Sequence, residues 1–336
     1  MNDGNLGFFH SWLEKLAEKA DIFIIGNYVG KYDLPENVKV FSLGKERRVD
    51  RLVKIFKYQW FLLKLLPRVD GVFFHMCPEY VLGAHLWPKI FRKKTLLWYT
   101  HKSVNWKLKL AEKLTDKIFT ASKESFRLPS KKVEITGHGI DVNKFKSQKS
   151  KVKSDKFTIV TAGRISEVKN LHLLIDVAEI LKNKNLSAGR QGFNFEIRIA
   201  GAPILESDKI YFEKIKNLIK EKKLDDIVEF VGPISNKYIA EFYQSGDLFI
   251  NLSDTGSLDK AVLEAMACGL KTITSNEAFK NILKENNIAD KNPENIAVKI
   301  INLAKSEKNY SLVEYVDKNH SLDNLVEKII KQFRNA

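Results

Sequence analysis

Short apolar runs alternate along the chain with longer stretches in which apolar residues recur every three or four positions. This is the pattern of a parallel sheet whose strands are separated by covering helices. In the first half it predicts strands at Ile22–Ile25, Val38–Ser42, Gly71–Phe74, Thr95–Tyr99, Lys117–Thr120 and Val133–Thr136. Helices are predicted over Phe8–Ala20, Arg48–Leu66, Tyr80–Ile90 and Trp106–Leu114, with a short turn at Glu124–Arg127. At Phe145–Lys156 polar Lys, Ser and Asp dilute the hydrophobic residues, as in an interdomain linker. The alternation then resumes, with strands at Phe157–Ala162, Phe195–Ala200, Val228–Val231, Leu248–Leu252 and Lys271–Thr274. The helices of this half are predicted at Asn170–Lys182, Lys209–Lys222, Asn236–Ser245 and Leu258–Ala267.

Two successive runs of this kind predict an α/β protein of two doubly wound, Rossmann-like domains, residues 1–148 and 149–336, facing across a cleft. The last helix is one that can pack back on the first domain. An architecture of this type normally opens on a strand, whereas the first strong element here is a helix, so the opening strand is expected to be missing. Ligands of open α/β sheets sit beyond the carboxyl ends of the strands, which directs attention to the segments that follow each strand.

Composition changes this picture little. A chain of 336 residues can bury two cores, and no run of about 18 apolar residues suggests a membrane span. The polar start resembles no signal peptide, so a cytoplasmic location is expected, with Cys77 and Cys268 reduced. Charge adds more. Residues 1–150 hold 28 Lys and Arg against 15 Asp and Glu, and the remainder 28 against 26. A basic half joined to a nearly neutral one points to an anionic partner surface, although a Lys-rich proteome would also produce some excess. The stretch Arg48–Leu66 interleaves basic residues with Phe56, Tyr58, Trp60 and Phe61. Such a helix suits an anionic membrane interface and equally suits the cover of a sheet. Nucleic acid fits the charge but no recognition motif accompanies it.

The chemistry follows the strands of the second half. After Thr158–Ala162 comes Gly163-Arg164-Ile165-Ser166-Glu167-Val168-Lys169-Asn170. Glycine lets the backbone approach a ligand closely. Arg164 and Lys169 place two cations beside the start of a helix, where unpaired N–H groups favour an anion. A pyrophosphate suits that place, and so does an ordinary solvated turn. After Leu248–Leu252 comes Ser253-Asp254-Thr255-Gly256-Ser257, a small polar loop of the kind that cradles phosphate, then a helix from Leu258 through Asp259 and Lys260 to Ala267. Glu264 interrupts the apolar stripe of that helix, either as a plain helix former or as a partner for paired hydroxyls. Gly269 suits a left-handed helix end.

As an ordered set, this stretch resembles the signature of the family 4 retaining glycosyltransferases of the GT-B fold, glycosyl transferases group 1. That signature is a glycine-arginine-x4-lysine element followed by a leucine-glutamate-alanine-methionine-alanine-x-glycine helix. Both are here, with Val228-Glu229-Phe230-Val231-Gly232 and Asp247–Ser253 between them, so the likeness covers most of residues 157–276. The resemblance implies a metal-independent hexosyltransferase with no cofactor, using a UDP- or GDP-sugar and a glycan or lipid-linked acceptor. It assigns Gly163, Arg164 and Lys169 to the diphosphate and leaving group, and Glu264 to the ribose. Gly232 falls to the base, and Thr255, Gly256, Ser257, Asp259 and Lys260 to the donor loop. The family carries a further glutamate eight residues before the second; that position here is Gly256. Asp254 or Asp259 can supply a displaced carboxylate. A nucleotide-sugar epimerase or phosphorylase, or a non-catalytic nucleotide-sugar-binding relative, would share these features.

Three histidines follow strands of the first half: His75, His101 and His138. No His-x3-His or cysteine pair supports a metal site, and none is expected. The Trp98-Tyr99-Thr100-His101-Lys102 segment resembles the family's acceptor-domain histidine, which implies a catalytic place for His101 beside the donor sugar. Gly137-His138-Gly139-Ile140-Asp141 resembles the family's turn before the linker. His75 reads as a core residue.

Overall fold

The structure is a computed structural model that describes residues 7–146, 155–187, 193–254, 256–306 and 311–334. It divides into two compact units. The first holds the residues up to Asp141 together with those from Asn319 onward, and the second runs from Val142 to Lys318. The boundary placed by sequence between 148 and 149 lies outside the described residues.

The first unit contains α1 (Gly7–Ala17), the parallel pair β1 (Ile22–Gly26) and β2 (Val38–Ser42), and α2 (Arg51–Leu65). A parallel four-stranded sheet follows in the order β3 (Gly71–His75), β4 (Lys94–Trp98), β5 (Lys117–Thr120), β6 (Val133–Ile135). Its helices are α3 (Pro78–Ala84), α4 (Leu86–Ile90) and α5 (Trp106–Leu114). The unbroken apolar run Leu96-Leu97-Trp98-Tyr99 belongs to a strand buried on both faces. Leu97 and Tyr99 pack with Tyr58, Leu62, Val81 and Leu108 of α2, α3 and α5. Leu96 and Trp98 point the other way, onto Trp12 of α1 and the C-terminal helix. His75 belongs to that second cluster, its ring 4.1 Å from Phe9 and 5.6 Å from Trp12.

The helix expected over Tyr80–Ile90 is two helices, parted at His85. Pro88 is the cause: it has no N–H for the carbonyl of Ala84, and its ring would collide there. Pro78 opens α3 two residues early because a proline loses nothing at a first helical position. At α2, the Asp50 side chain caps the first turn by accepting from the Leu52 N–H at 2.7 Å.

The second unit opens with α6 (Val142–Lys146) and holds a parallel five-stranded sheet. Its strands are β7 (Phe157–Ala162), β8 (Phe195–Ala200), β9 (Val228–Gly232), β10 (Leu248–Asn251) and β11 (Lys271–Thr274), in the order β11-β10-β7-β8-β9. Helices α7 (Leu171–Ser187), α8 (Glu206–Glu221), α9 (Ile239–Gln244), α10 (Lys260–Ala267) and α11 (Pro293–Ala304) connect and cover them. The chain moves outward from β7 through β8 to β9, then returns to the other side of β7 as β10. That reversal leaves the carboxyl ends of β7 and β10 as the topological switch point, where ligands of such sheets bind.

Helix α12 (Ser311–His320) ends where the chain re-enters the first unit, and α13 (Leu322–Arg334) lies in that unit against α1 and β4. The re-entry is a short parallel bridge between Ile140 and Ser321. The Ile140 N–H donates to His320 O at 2.7 Å, and the Leu322 N–H to Ile140 O at 2.8 Å. The Gly137–Asp141 turn is built for this seam. A Cβ at Gly137, whose φ is +80°, would lie 2.0 Å from Asn319 O, and Trp12 Nε1 donates to Gly139 O.

The His138 N–H donates to Nδ1 of His320, which is buried in the seam. Burial, and secondarily the neighbouring His138, push the His320 imidazole down to about 3. In the unfolded chain it titrates at about 6.5. Below that pH the unfolded chain therefore binds a proton that the folded one refuses. The stability is fully present above about pH 6.5 and drains as pH falls toward 3. Between pH 7 and pH 5 this group alone should remove about 2 kcal/mol. His320→Asn keeps an acceptor for the His138 N–H but does not titrate. Urea unfolding followed at both pH values should show a smaller loss in the variant; equal losses would contradict this account.

Candidate functional site

Two segments meet at the switch point: the turn after β7, residues 163–170, and the loop after β10, residues 252–259. The glycine that ends β7 is required by its backbone rather than by space: Gly163 has φ +146°, while a Cβ there would only meet Lys169 Cε in ordinary contact at 3.4 Å. Beside it, Gly201 has φ +144°, and a Cβ on it would lie 1.9 Å from Gly163 O. The Gly201 N–H in turn donates to Gly232 O at 2.9 Å. The carboxyl ends of β7, β8 and β9 thus carry bare backbone at their edge, as close approach of a ligand demands. Around Gly232 itself the space is open.

Four contacts lace the two segments together. The Asp254 N–H donates to Val168 O at 3.1 Å. Asn170, in the left-handed region at φ 50°, donates from Nδ2 to Leu252 O at 2.8 Å and to Asp254 Oδ2 at 3.0 Å. Lys169 Nζ reaches Asp259 Oδ2 at 2.6 Å, with both side chains largely buried. Asn251, at the end of β10, donates to that same carboxylate oxygen at 3.1 Å. Burial pushes the Asp259 carboxyl up, but the Lys169 charge and hydrogen bond, with the Asn251 bond, hold it below the usual carboxylate range.

Asp259 is also the residue before the first turn of α10. The next residue, Lys260, lies 3.6 Å from Glu264 one turn on. Glu264 is buried inside the unit, where Oε2 accepts from the Tyr243 hydroxyl at 3.1 Å. Burial and then the Glu264 charge raise the Tyr243 phenol well above its ordinary range. A protonated phenol therefore anchors one carboxylate oxygen, and Lys260 lies beside the other. Arg164 faces a different wall: its Nε is 3.7 Å from Asp208 Oδ2. Asp208 is buried and accepts the N–H groups of Ile204 and Leu205 ahead of α8.

The structure thus gathers Gly163, Lys169, Asp259, Lys260 and Glu264 on the two strand ends, with Arg164 and Gly232 along the same edge. Gly256 stands in the loop at φ +63°, and the Ser257 carbonyl accepts from Asn276 Nδ2 at 2.7 Å. Thr255 lies outside the described residues. Of the two carboxylates considered for the place of the family's first glutamate, Asp254 is exposed and joined to Asn170 and to Lys291, at 2.7 Å. Asp259 is the one turned inward on Lys169. His101 belongs to the first unit, exposed just after β4, its Nδ1 accepting the Ser103 N–H at 3.1 Å. Among the described residues no three His, Cys, Asp or Glu side chains gather as metal ligands would.

Sequence reasoning missed the amides. Asn170, Asn251 and Asn276 are all buried and all fasten the loops of the site. A polar amide closing an apolar strand, as in Leu248–Asn251, was the available signal. Asp208 was missed because an acidic residue near a helix start ordinarily reads as a solvated cap.

A family model described as glycosyl transferases group 1 matches residues 142–321, more than half of the chain. The amylovoran biosynthesis glycosyltransferase AmsK of Erwinia amylovora is 28% identical over 167 residues, which cover 48% of this chain and 38% of that one. The chain spans only about a third of the length of the curated relatives it matches. Among solved structures, HepE of Anabaena in complex with UDP superposes with a TM-score of 0.76 at 13% identity, over 100% of this chain and 98% of that one. Sucrose-phosphate synthase of Thermosynechococcus elongatus gives 0.74 at 16% identity, over 98% and 92%. These likenesses give the fold as GT-B, and the sequence match gives the family: the chain belongs to the glycosyl transferases group 1.

Proposed function

We propose that the chain is a retaining, metal-independent glycosyltransferase that moves a hexosyl unit from a UDP- or GDP-sugar to a glycan or lipid-linked acceptor. The observation that carries this reading is the buried Lys169–Asp259 pair at the switch point. It fixes a cation against the bare backbone of Gly163, at the one edge where a doubly wound sheet takes a phosphate ligand. HepE, which shares the fold, was crystallised with UDP.

In this reading Arg164 and Lys169 receive the negative charge that develops on the departing diphosphate. Preorganised cations in a partly dehydrated site do this without rearrangement at the moment of reaction. Asp259 is a positioning residue: it holds Lys169 extended toward the strand ends and shares its charge with the diphosphate. Glu264, anchored by Tyr243, offers its carboxylate to a ribose, and the open space at Gly232 takes the base. In the same reading His101, by the family resemblance, acts beside the donor sugar. Gly256, where the family has a glutamate, favours a second reading, a relative that binds the donor without turning it over. Donor binding with no transfer across an acceptor panel would select it.

UDP or GDP at a hundred times its dissociation constant should stabilise the chain by about 2.7 kcal/mol. The Arg164→Ala, Lys169→Ala double variant should lose most of the resulting rise in Tm. An undiminished rise would move the diphosphate elsewhere. Turnover should persist in EDTA; loss on chelation with recovery in Mg²⁺ would refute the metal-independent mechanism.

Steady-state kinetics of His101→Ala should show kcat falling far more than donor affinity, since a contact made near the transition state acts on kcat. Unchanged kcat would remove this histidine from the site. Gly256→Glu should alter donor preference while lowering stability by about 1–2 kcal/mol, because a glutamate there must adopt the left-handed conformation. Unaltered donor preference in a folded variant would show that position 256 does not face the sugar.

A further inference from the structure

Helix α2 is built inside out. Tyr58, Leu62 and Leu65 are buried against the first unit. The opposite face, which a helix covering a sheet ordinarily gives to polar residues, carries Leu52, Phe56, Trp60 and Leu63. The first three expose 66%, 73% and 63% of their surface. Their spacing of three and four residues puts them in one row along the helix. Helix α4 is hydrogen-bonded to α2. Trp87 Nε1 donates to Gln59 Oε1, and Gln59 Nε2 donates to Gly83 O at 3.0 Å, which clamps α4 beside α2. Leu86 and Ile90, one turn apart on α4, are exposed at 52% and 57%.

Exposed cations accompany this apolar row on the same elements: Lys64 and, at its start, Arg51 on α2, Arg68 just after it, Lys89 on α4 and Arg92 beyond it. Asp50 and Asp70 stand at the two ends, the former occupied as the α2 cap. Among the described residues no helix is long and apolar enough to cross a membrane. The row is therefore a surface feature, and its pattern is aromatic and aliphatic side chains accompanied by positive charge.

We propose that the outer face of α2, with α4 beside it, is a docking surface for an anionic lipid bilayer. Leu52, Phe56, Trp60 and Leu63 enter the headgroup boundary, and the cations meet lipid phosphates and carboxylates. Tryptophan is at home at that depth, its ring apolar and its N–H able to reach water. The charge selects the bilayer over a second copy of the chain. A two-fold contact through this face would set the same cations against themselves, whereas an anionic headgroup layer neutralises them. The inference goes beyond the transferase reading and does not rest on it, since every residue involved lies in the first unit.

The test is flotation of the full chain with vesicles of phosphatidylcholine, with and without phosphatidylglycerol. Binding should require phosphatidylglycerol and weaken as salt is raised. Phe56→Ser with Trp60→Ser should reduce binding at least about tenfold, the loss of two buried aromatic anchors, with Tm unchanged because both side chains are exposed. Brominated acyl chains should quench a fluorescence component that Trp60→Phe removes. Equal flotation of the wild type and the double variant would overturn the proposal, as would equal binding to neutral vesicles. So would a dimer in vesicle-free solution that the double variant dissociates, which would give the face to a second copy. The nucleotide-induced Tm rise, read on the same samples, reports on the second unit and separates a failed docking surface from a failed donor site.

Discussion

A buried ion pair between Lys169 and Asp259, 90 residues apart, is the constraint on which the second unit's site depends. Removing a lysine ammonium and a carboxylate from water is costly, and only good geometry with further hydrogen bonds offsets it. Asn251 supplies one such bond, and the pair in turn dictates where both loops run. The turn after β7 must bring Lys169 back over Gly163, whose φ of +146° is one that a residue with a side chain rarely adopts. The loop after β10 must deliver Asp259 to the start of α10, and Asn170 and Asn276 pin it at either end. Breaking one partner would leave an uncompensated charge in the site. The same pair that fixes the two loops is the one to which the proposed function gives the phosphate.

The first unit is organised by a different requirement. Its sheet is apolar on both faces, so both must be covered. Helices α2, α3 and α5 cover one face. Helix α1 covers the other together with α13, which arrives from the far end of the sequence. The seam at Ile140 and Ser321 makes that arrival specific through backbone hydrogen bonds, a glycine that only a bare Cα satisfies, and an imidazole that must stay neutral. A buried histidine in a seam stabilises at neutral pH and loosens in acid, and the Gly137–Asp141 turn, after which the chain leaves the first unit, is also its partner.

Much of this was legible in the sequence. Strands Val38–Ser42, Lys117–Thr120, Phe157–Ala162, Phe195–Ala200 and Lys271–Thr274 fall where the apolar runs place them. The reason is that parallel strands covered on two faces are dominated by apolar residues, with charged side chains such as Lys39, Glu196 and Arg198 kept to exposed or partly exposed positions. The cations and glycines of the second unit were legible because backbone approach and anion binding restrict residue type so tightly. The division of the Tyr80–Ile90 helix was written in Pro88 but masked by the apolar periodicity around it. What pattern alone could not supply was direction. Arg48–Leu66 has apolar residues on every side, and only packing reveals that Tyr58 and Leu62 face in while Phe56 and Trp60 face out. Nor could it show that Asp259, rather than Asp254, turns toward Lys169. That choice depends on a long-range contact with no local signature.

The central claim is that the switch point of the second unit reads a diphosphate through Lys169 and Arg164. Calorimetric titration of UMP and UDP, and of GMP and GDP, into the full chain isolates that element, since each pair differs only by the second phosphate. For the base that binds, the account predicts at least about tenfold tighter binding of the diphosphate, roughly 1.4 kcal/mol, and loss of that difference in the Lys169→Ala variant. Equal affinities for the mono- and diphosphate in the wild type would contradict it.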